Sequence, residues 1–291
     1  MKTVKHKCHT KYRDWYPLRD RGFRYYFRSL ALDLLSFRHS EQSLLALNTP
    51  HVQFLYIHHV FEDEVEELRK LLRTLSSTYE FVSYSNAVER VRDGNVDRPY
   101  MAFSSDDGFK NNIAAARVFS EFNISACFFL NPVTIGLVDP EVINNFCRER
   151  LNARAVHFLN WEDVADIQKH GHEIGSHSFQ HLDLGLMSRS EVSEDLSQAK
   201  VVLEQYCGEI IHFAFPYGGI ENFSEEALDE CFNLGHKSCA SAKRGCYLGG
   251  GNVDLSQNLI LRDQLILAWP IGHILFFLSR NLRRAILDST L

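Results

Sequence analysis

Residues 100–130 read YMAFSSDDGFKNNIAAARVFSEFNISACFFL, and three elements are legible in them. Tyr100–Ser104 is a short, mostly apolar run of strand length that ends in the acidic turn Ser105-Asp106-Asp107-Gly108. Asn112–Phe122 reads as a helix, and Ile124–Leu130 returns to an apolar strand. Two apolar strands joined by a helix form the repeating unit of a parallel sheet, because parallel neighbours need a long crossover.

The alternation continues on both sides. Upstream, Val52–His58 is a strand candidate, and Glu62-Asp63-Glu64 opens a helix to about Leu75, where acidic residues suit the helix N-terminus. A Phe81–Tyr84 strand and a short helix from near Ser85 to Gly94 follow. Downstream come a Trp161–His170 helix closed by Gly171, a His172–Ser176 strand, and a long helix opened by the capping box Ser188-Arg189-Ser190-Glu191. Val192, Leu196, Ala199, Leu203 and Tyr206 recur at intervals of four and three and give that helix one apolar face. Ile210–Phe215, Ser238–Ala242 and Leu259–Leu265 supply further strands. The pattern predicts an α/β fold, a distorted (β/α) barrel of about seven strands.

The chain has 291 residues, 45% hydrophobic and 23% charged, with 16 Gly and 7 Pro, which excludes collagen-like, low-complexity and disordered classes. A net charge of −6 argues against a nucleic-acid partner. None of the seven cysteines forms a C-x-x-C pair, and Cys127 sits in an apolar run, so free thiols in a reducing compartment are expected. Lys2, Lys5, Lys7, Lys11 and Arg13 lead into no apolar signal-peptide core. The longest apolar stretch, Leu265–Leu278, is interrupted by Pro270 and His273 and is too short for a membrane span. These features point to the cytoplasm, with peripheral contact at the inner membrane surface as the sharper alternative.

That alternative comes from the ends of the chain. Residues 1–28 hold nine Lys/Arg against Asp14 and Asp20, interleaved with Trp15, Tyr16, Phe23, Tyr25, Tyr26 and Phe27. Residues 1–50 are expected to be an extension, either solvated and loosely packed or in contact with a membrane surface or polyanion. Residues 51–265 form the barrel. Residues 266–291 form an amphipathic helix that closes the barrel's open side or lies in a bilayer interface. Its apolar residues include Trp269 and Phe276–Leu278, followed by Arg280, Arg283 and Arg284.

Function in parallel α/β folds collects where strands run out into loops. Three such ends stand out: Asp106-Asp107-Gly108, His177-Ser178-Phe179-Gln180-His181 and Pro216-Tyr217-Gly218-Gly219. Adjacent carboxylates repel and are best tolerated beside a cation, although Asp-Gly is also common turn chemistry. His177 and His181 are spaced i,i+4 and face one way if the segment is helical; otherwise they are loop histidines. One carboxylate and two imidazoles make a three-ligand hydrolytic metal set that leaves a position for water.

These segments resemble the motifs of the NodB-like polysaccharide deacetylases, a carbohydrate esterase superfamily. Ser104-Ser105-Asp106-Asp107-Gly108 is similar to the family's T-F-D-D-G, with Ser in place of Phe. His177-Ser178-Phe179-Gln180-His181 matches H-[ST]-x-x-H in full, and Ala214-Phe215-Pro216-Tyr217-Gly218 resembles R-x-P-Y-G. The resemblance implies a divalent metal on Asp107, His177 and His181, most often zinc, with cobalt or nickel as alternatives. It implies Asp106 as general base and places Pro216 and Tyr217 in the oxyanion motif, with the Tyr217 N–H holding the oxyanion.

Two departures matter. The usual C-terminal L-x-H has no convincing match. A circularly permuted subgroup carries that His on the first strand, in a run that Leu55-Tyr56-Ile57-His58-His59-Val60 resembles. His58 is therefore the expected general acid, with His59 and His273 as the other candidates. Ala214 stands where the family has the Arg that pairs with the base, and Arg262 is the expected substitute. The implied reaction is metal-dependent removal of N-acetyl groups from an N-acetylated sugar or glycan. A deformylase or deacetylase of a small or lipid-linked sugar, or a non-catalytic carbohydrate-binding relative, are the alternatives. Loops 132–159 and 243–257 are expected to set specificity.

Overall fold

Seven consecutive residues, His51–Ile57, are buried without exception, and this strand (β1) is the spine of the sheet. A computed structural model describes residues 7–17, 22–38 and 45–289 of the chain. Lys2, Lys5, Arg19, Asp20 and Arg21 of the basic segment lie outside the described residues.

The strands in chain order are β1, β2 (Glu80–Phe81), β3 (Pro99–Ser105), β4 (Cys127–Leu130), β5 (Glu173–Ser176), β6 (His212–Ala214), β7 (Ser238–Ala240), β8 (Cys246–Leu248) and β9 (Asp263–Gln264). They form one sheet of spatial order β7-β6-β5-β4-β3-β1-β8, with β2 on β3 and β9 on β1. Neighbours pair in parallel except β8, which runs antiparallel to β1. Segment 260–264 closes the curl: Ile260 bridges to Ala240 of β7, and Asp263–Gln264 pair with Leu55–Tyr56 of β1. Leu259–Leu265 is thus not the continuous strand expected from its sequence. It changes partner midway, and Arg262 sits at the change.

The period of two along each strand separates two cores. Val52 and Phe54, Tyr100 and Ala102, Cys127 and Phe129, with Ala214, Ala240 and Ile260, pack together as one cluster. Leu55 and Ile57, Met101 and Phe103, Phe128 and Leu130 belong to another, shared with the surrounding helices. The first set fills the barrel and the second is its outer face. One step of two further along the inner set come Tyr56 and His58, Ser104 and Asp106, His177, and Arg262. The polar centre is the continuation of the apolar filling at the C-terminal ends of the strands.

Helices α1 (Tyr12–Trp15), α2 (Phe23–Arg38), α3 (Val65–Leu75), α4 (Tyr84–Asp93), α5 (Asn112–Glu121), α6 (Pro140–Glu149), α7 (Trp161–Lys169), α8 (Arg189–Cys207), α9 (Glu225–Asn233) and α10 (Ile271–Ser289) complete the chain. Ser188 caps α8 with the expected reciprocal pair to Glu191. Val192, Leu196, Ala199 and Leu203 are buried, but Tyr206 leaves that face and stacks on Trp161 at 3.9 Å. The stretch expected as the 132–159 loop contains α6, capped by Asp139. The C-terminal helix α10 buries Ile274, Leu278 and Leu282 in the outer core, so its apolar face is spent on the barrel. All seven cysteines are free.

Gly175, on the inner face of β5, has no room for a side chain: an added Cβ falls 2.5 Å from the Phe129 ring. Gly175→Ala is expected to lower stability by about 1–3 kcal/mol through overpacking, read as a lower midpoint in urea with unchanged slope.

Candidate metal centre and catalytic site

The i,i+4 spacing of His177 and His181 allows either a shared helix face or a loop. The structure brings them together by the second route. Residues 177–181 form a turn in which Ser178 (φ 63°) and His181 (φ 53°) take left-handed backbone conformations. Asp107 (φ 72°) and Tyr217 (φ 63°) do the same at the other two strand ends. Non-glycine residues avoid this region at a cost of roughly 1 kcal/mol or more each, so the concentration here marks a site held by its surroundings. Asn131 Nδ2 donates to the carbonyls of His177 and Ser178. The Asp195 carboxylate accepts from the N–H groups of Phe179 (2.8 Å) and Gln180 (3.2 Å). Neither residue was singled out from sequence. The signal for Asp195 was a carboxylate on the apolar face of α8, where it is buried between Val192 and Leu196.

Asp107 Oδ1 lies 3.4 Å from His177 Nε2 and 3.3 Å from His181 Nε2. It is buried and makes no hydrogen bond. His177 Nδ1 is 2.6 Å from the Ala214 carbonyl, which fixes the proton on Nδ1 and leaves Nε2 as a lone-pair donor. Among the described residues these three are the group whose donor atoms converge, all within 4.8 Å. Donors about 2.0–2.1 Å from a tetrahedral zinc lie about 3.3 Å apart, so the two measured edges fit such an ion. Burial works against the charge on Asp107, but the two imidazoles outweigh it and hold the carboxyl well below its usual range.

Asp106 is clamped from the other side. Arg262 Nη1 and Nη2 donate to its two oxygens at 2.9 Å each, a bidentate pair. The guanidinium also donates to Ser104 Oγ (3.1 Å) and, through Nε, to the Ser241 carbonyl (2.9 Å). The Tyr56 ring covers it, 4.5 Å from the guanidinium carbon. Burial alone raises the Asp106 pKa, yet Arg262 brings it below the ordinary value.

Of the three histidines considered for the general acid, His58 and His59 both line the cavity. His58, at the end of β1, lines the cavity and receives Gln264 Nε2–H on Nδ1 at 3.2 Å, leaving a neutral ring its proton on Nε2. His59 packs against Phe109 (4.3 Å), Phe61 (5.0 Å) and Trp15 (5.0 Å), and burial pushes its pKa down to about 3. His273 is on α10, bound to Asp33 at 2.7 Å, and is not part of the cavity wall. Tyr217 lines the cavity with its ring against His181 at 4.8 Å, whereas Pro216 is buried and does not. Gly218, next to it (φ 70°), lies so close to Ala242 that an added Cβ would collide with it.

These groups open into a cavity of about 540 Å³, in the range of small-molecule sites. One wall was not foreseen: Tyr12, Trp15 and Tyr16 of the N-terminal segment line it. The segment is strapped down by Tyr12 N–H to Asp63 (2.7 Å), Glu62 N–H to the Thr10 carbonyl (3.1 Å) and His9 N–H to the Ala155 carbonyl (2.9 Å). The sequence offers these aromatics as part of a loosely packed extension or of a membrane or polyanion contact, and the structure places them on the cavity wall.

Glu64 also lines the cavity, and burial raises its pKa to about 7 although Phe61 N–H donates to it at 3.2 Å. The folded value exceeds the ordinary one of 4.5, so the folded state binds this proton more tightly than the unfolded chain. Stability is then lost as pH rises from about 4.5 to about 7, by roughly 3 kcal/mol. Glu64→Gln is expected to remove that loss: the variant matches wild type below pH 4.5 and exceeds it above pH 7, as read by denaturation at both ends of the range.

Residues 93–237 match the family described as polysaccharide deacetylase. No curated protein matches the chain. Solved structures share its fold at low identity. IcaB from Ammonifex degensii aligns with a TM-score of 0.60 and 16% identity, covering 79% of this chain and 98% of that one. The Streptococcus pyogenes deacetylase PplD, in complex with acetate, gives 0.59 and 15%, covering 78% and 98%. A de-N-acetylase from Aggregatibacter actinomycetemcomitans gives 0.57 and 15%, covering 78% and 100%. With its ordered motifs at the mouth of one distorted barrel, the chain belongs to the NodB-like polysaccharide deacetylase superfamily.

Proposed function

We propose that this protein hydrolyses the N-acetyl amide of an N-acetylated sugar or glycan with a divalent metal, zinc first, held by Asp107, His177 and His181. The observation that carries the proposal is the unpartnered Asp107 Oδ1 facing two imidazole nitrogens, beside a second carboxylate clamped by Arg262. When bound there, the ion supplies Lewis acidity to the acyl carbonyl and makes water a nucleophile near neutral pH.

The chain's own groups divide the remaining work. Asp106 is anionic because of Arg262 and accepts the proton of the attacking water as general base. Arg262, buried with its donors on Asp106, Ser104 and Ser241, keeps Asp106 charged and fixes its plane. The Tyr217 backbone N–H steadies the developing oxyanion. His58 gives its Nε2 proton to the departing amine. Its place on the first strand, in the same cavity as Asp106, supports the circularly permuted subgroup. The aromatic wall of Tyr12, Trp15 and Tyr16 offers flat apolar faces to a sugar ring.

The direct test is acetate release from N-acetylglucosamine oligomers with added zinc or cobalt. Asp106→Asn is expected to lower the rate by at least roughly a hundredfold; a rate unchanged by that substitution sinks the mechanism. Asp195→Asn, which disturbs the support of the 177–181 turn, is expected to weaken zinc binding about 10- to 100-fold, measured by titrating the metal-free protein. Undiminished zinc affinity would separate Asp195 from the metal centre.

A further inference from the structure

Helix α2 is amphipathic the wrong way round. Its half-buried residues are Tyr25, Ser29, Leu32 and Ser36, spaced four, three and four. That side rests on α10 and the segment before it: Asp33 Oδ1 lies 2.7 Å from His273 Nε2, Arg28 stacks over Trp269 at 5.0 Å, and Ser36 Oγ would be 3.5 Å from a Cβ on Gly272. The opposite side carries Phe23, Phe27, Leu30, Leu34 and Phe37, spaced four, three, four and three, and these are 76, 57, 67, 69 and 83% exposed. Single exposed apolar side chains are ordinary, but a continuous stripe of five large ones marks a contact surface.

The charge on the chain says what kind. Residues 1–38 hold ten Lys/Arg against three Asp, and residues 271–291 hold three Arg against one Asp. These two ends therefore carry +9 while residues 39–270 carry −15, in a chain of net −6. A bulky apolar stripe on a helix amid basic residues suits burial at the boundary between headgroups and acyl chains, where each Lys/Arg near an anionic surface contributes about 1 kcal/mol. Among the described residues no helix is long and apolar enough to cross a membrane, so the contact is one of lying on the surface.

We propose that α2 docks this protein on an anionic lipid bilayer, with the Phe23–Phe37 stripe in the acyl boundary and the net positive charge of the chain's ends favouring anionic headgroups. The C-terminal helix, which the sequence offers for such a role alongside the N-terminal segment, is the platform that presents α2 rather than the element that inserts. The proposal goes beyond the chemistry of the cavity and stands without it.

Flotation of the full chain with phosphatidylcholine vesicles, with and without phosphatidylglycerol, tests it. Wild type is expected to float with the anionic vesicles roughly tenfold better than with phosphatidylcholine alone, and less well as salt is raised. Phe27→Asp/Leu30→Asp/Leu34→Asp is expected to abolish flotation with an unchanged thermal midpoint. Phe37→Ser, at the most exposed position of the stripe, should weaken flotation with less risk to folding. Three results overturn the proposal. One is a wild type that floats with neither vesicle, and another is folded variants that float as well as wild type. The third is a wild-type dimer without vesicle binding that the triple variant makes monomeric, which would make the stripe a self-association surface.

Discussion

The ion pair between Arg262 and Asp106 is the constraint around which the mouth of the barrel is arranged. Both side chains are buried, and removing two charges from water costs several kcal/mol for each. The cost is offset only because the planar guanidinium meets both carboxylate oxygens, spends its other donors on Ser104 and Ser241, and is covered by Tyr56. Two features of the fold follow. The closing segment passes from the Ile260 bridge on β7 to the Asp263 pairing on β1, and Arg262, two residues on from Ile260, points into the barrel at that change. And two consecutive carboxylates can both stay ionised in one buried site, since Arg262 takes one and the histidine pair faces the other.

Much of this was legible because it is periodic. The apolar runs around Phe54, Ala102 and Phe129 announce strands, and their alternation with helices announces a parallel sheet closed on itself. The residues at three strand ends were legible as well, since carboxylates and histidines seldom follow apolar strands without a use. Arg262 could be nominated because the resemblance implies an Arg beside the base at the position where Ala214 stands, and Arg262 ends a late strand. What the sequence did not convey is how these groups meet. The i,i+4 spacing of His177 and His181 leaves a helix face and a loop both open; two left-handed residues turn the chain, and Asn131 and Asp195 hold the turn from outside. Such support comes from residues far away in sequence, each unremarkable in its own segment.

The same limit explains the misplaced ends. Propensity and periodicity describe a segment against itself, so Tyr12 and Trp15 read as part of a basic extension until backbone bonds to residues 62–63 and 155 fix them over the cavity. Helix α6 was hidden in a stretch taken for a loop because it buries little: Ile143 and Cys147 are its buried residues. The C-terminal segment posed the opposite difficulty. Its apolar stripe was visible, but a stripe does not say whether its partner is the barrel or a lipid surface, and Ile274, Leu278 and Leu282 turn out to face the barrel.

The N-terminal segment and helix α2 are attached to the barrel by separable means. Residues 9–12 are bonded to loops of the barrel and carry the wall of Tyr12, Trp15 and Tyr16, with no part of α2 in those bonds. Helix α2 is bonded to α10 and the segment before it, with its stripe facing away. The link between the two systems is the 265–267 stretch, where Leu265 and Leu267 line the cavity and lead directly into the platform for α2. An acylated sugar carried on a lipid would meet both systems at once. A soluble oligomer would meet only the first, so the two substrate classes would differ in whether they require α2.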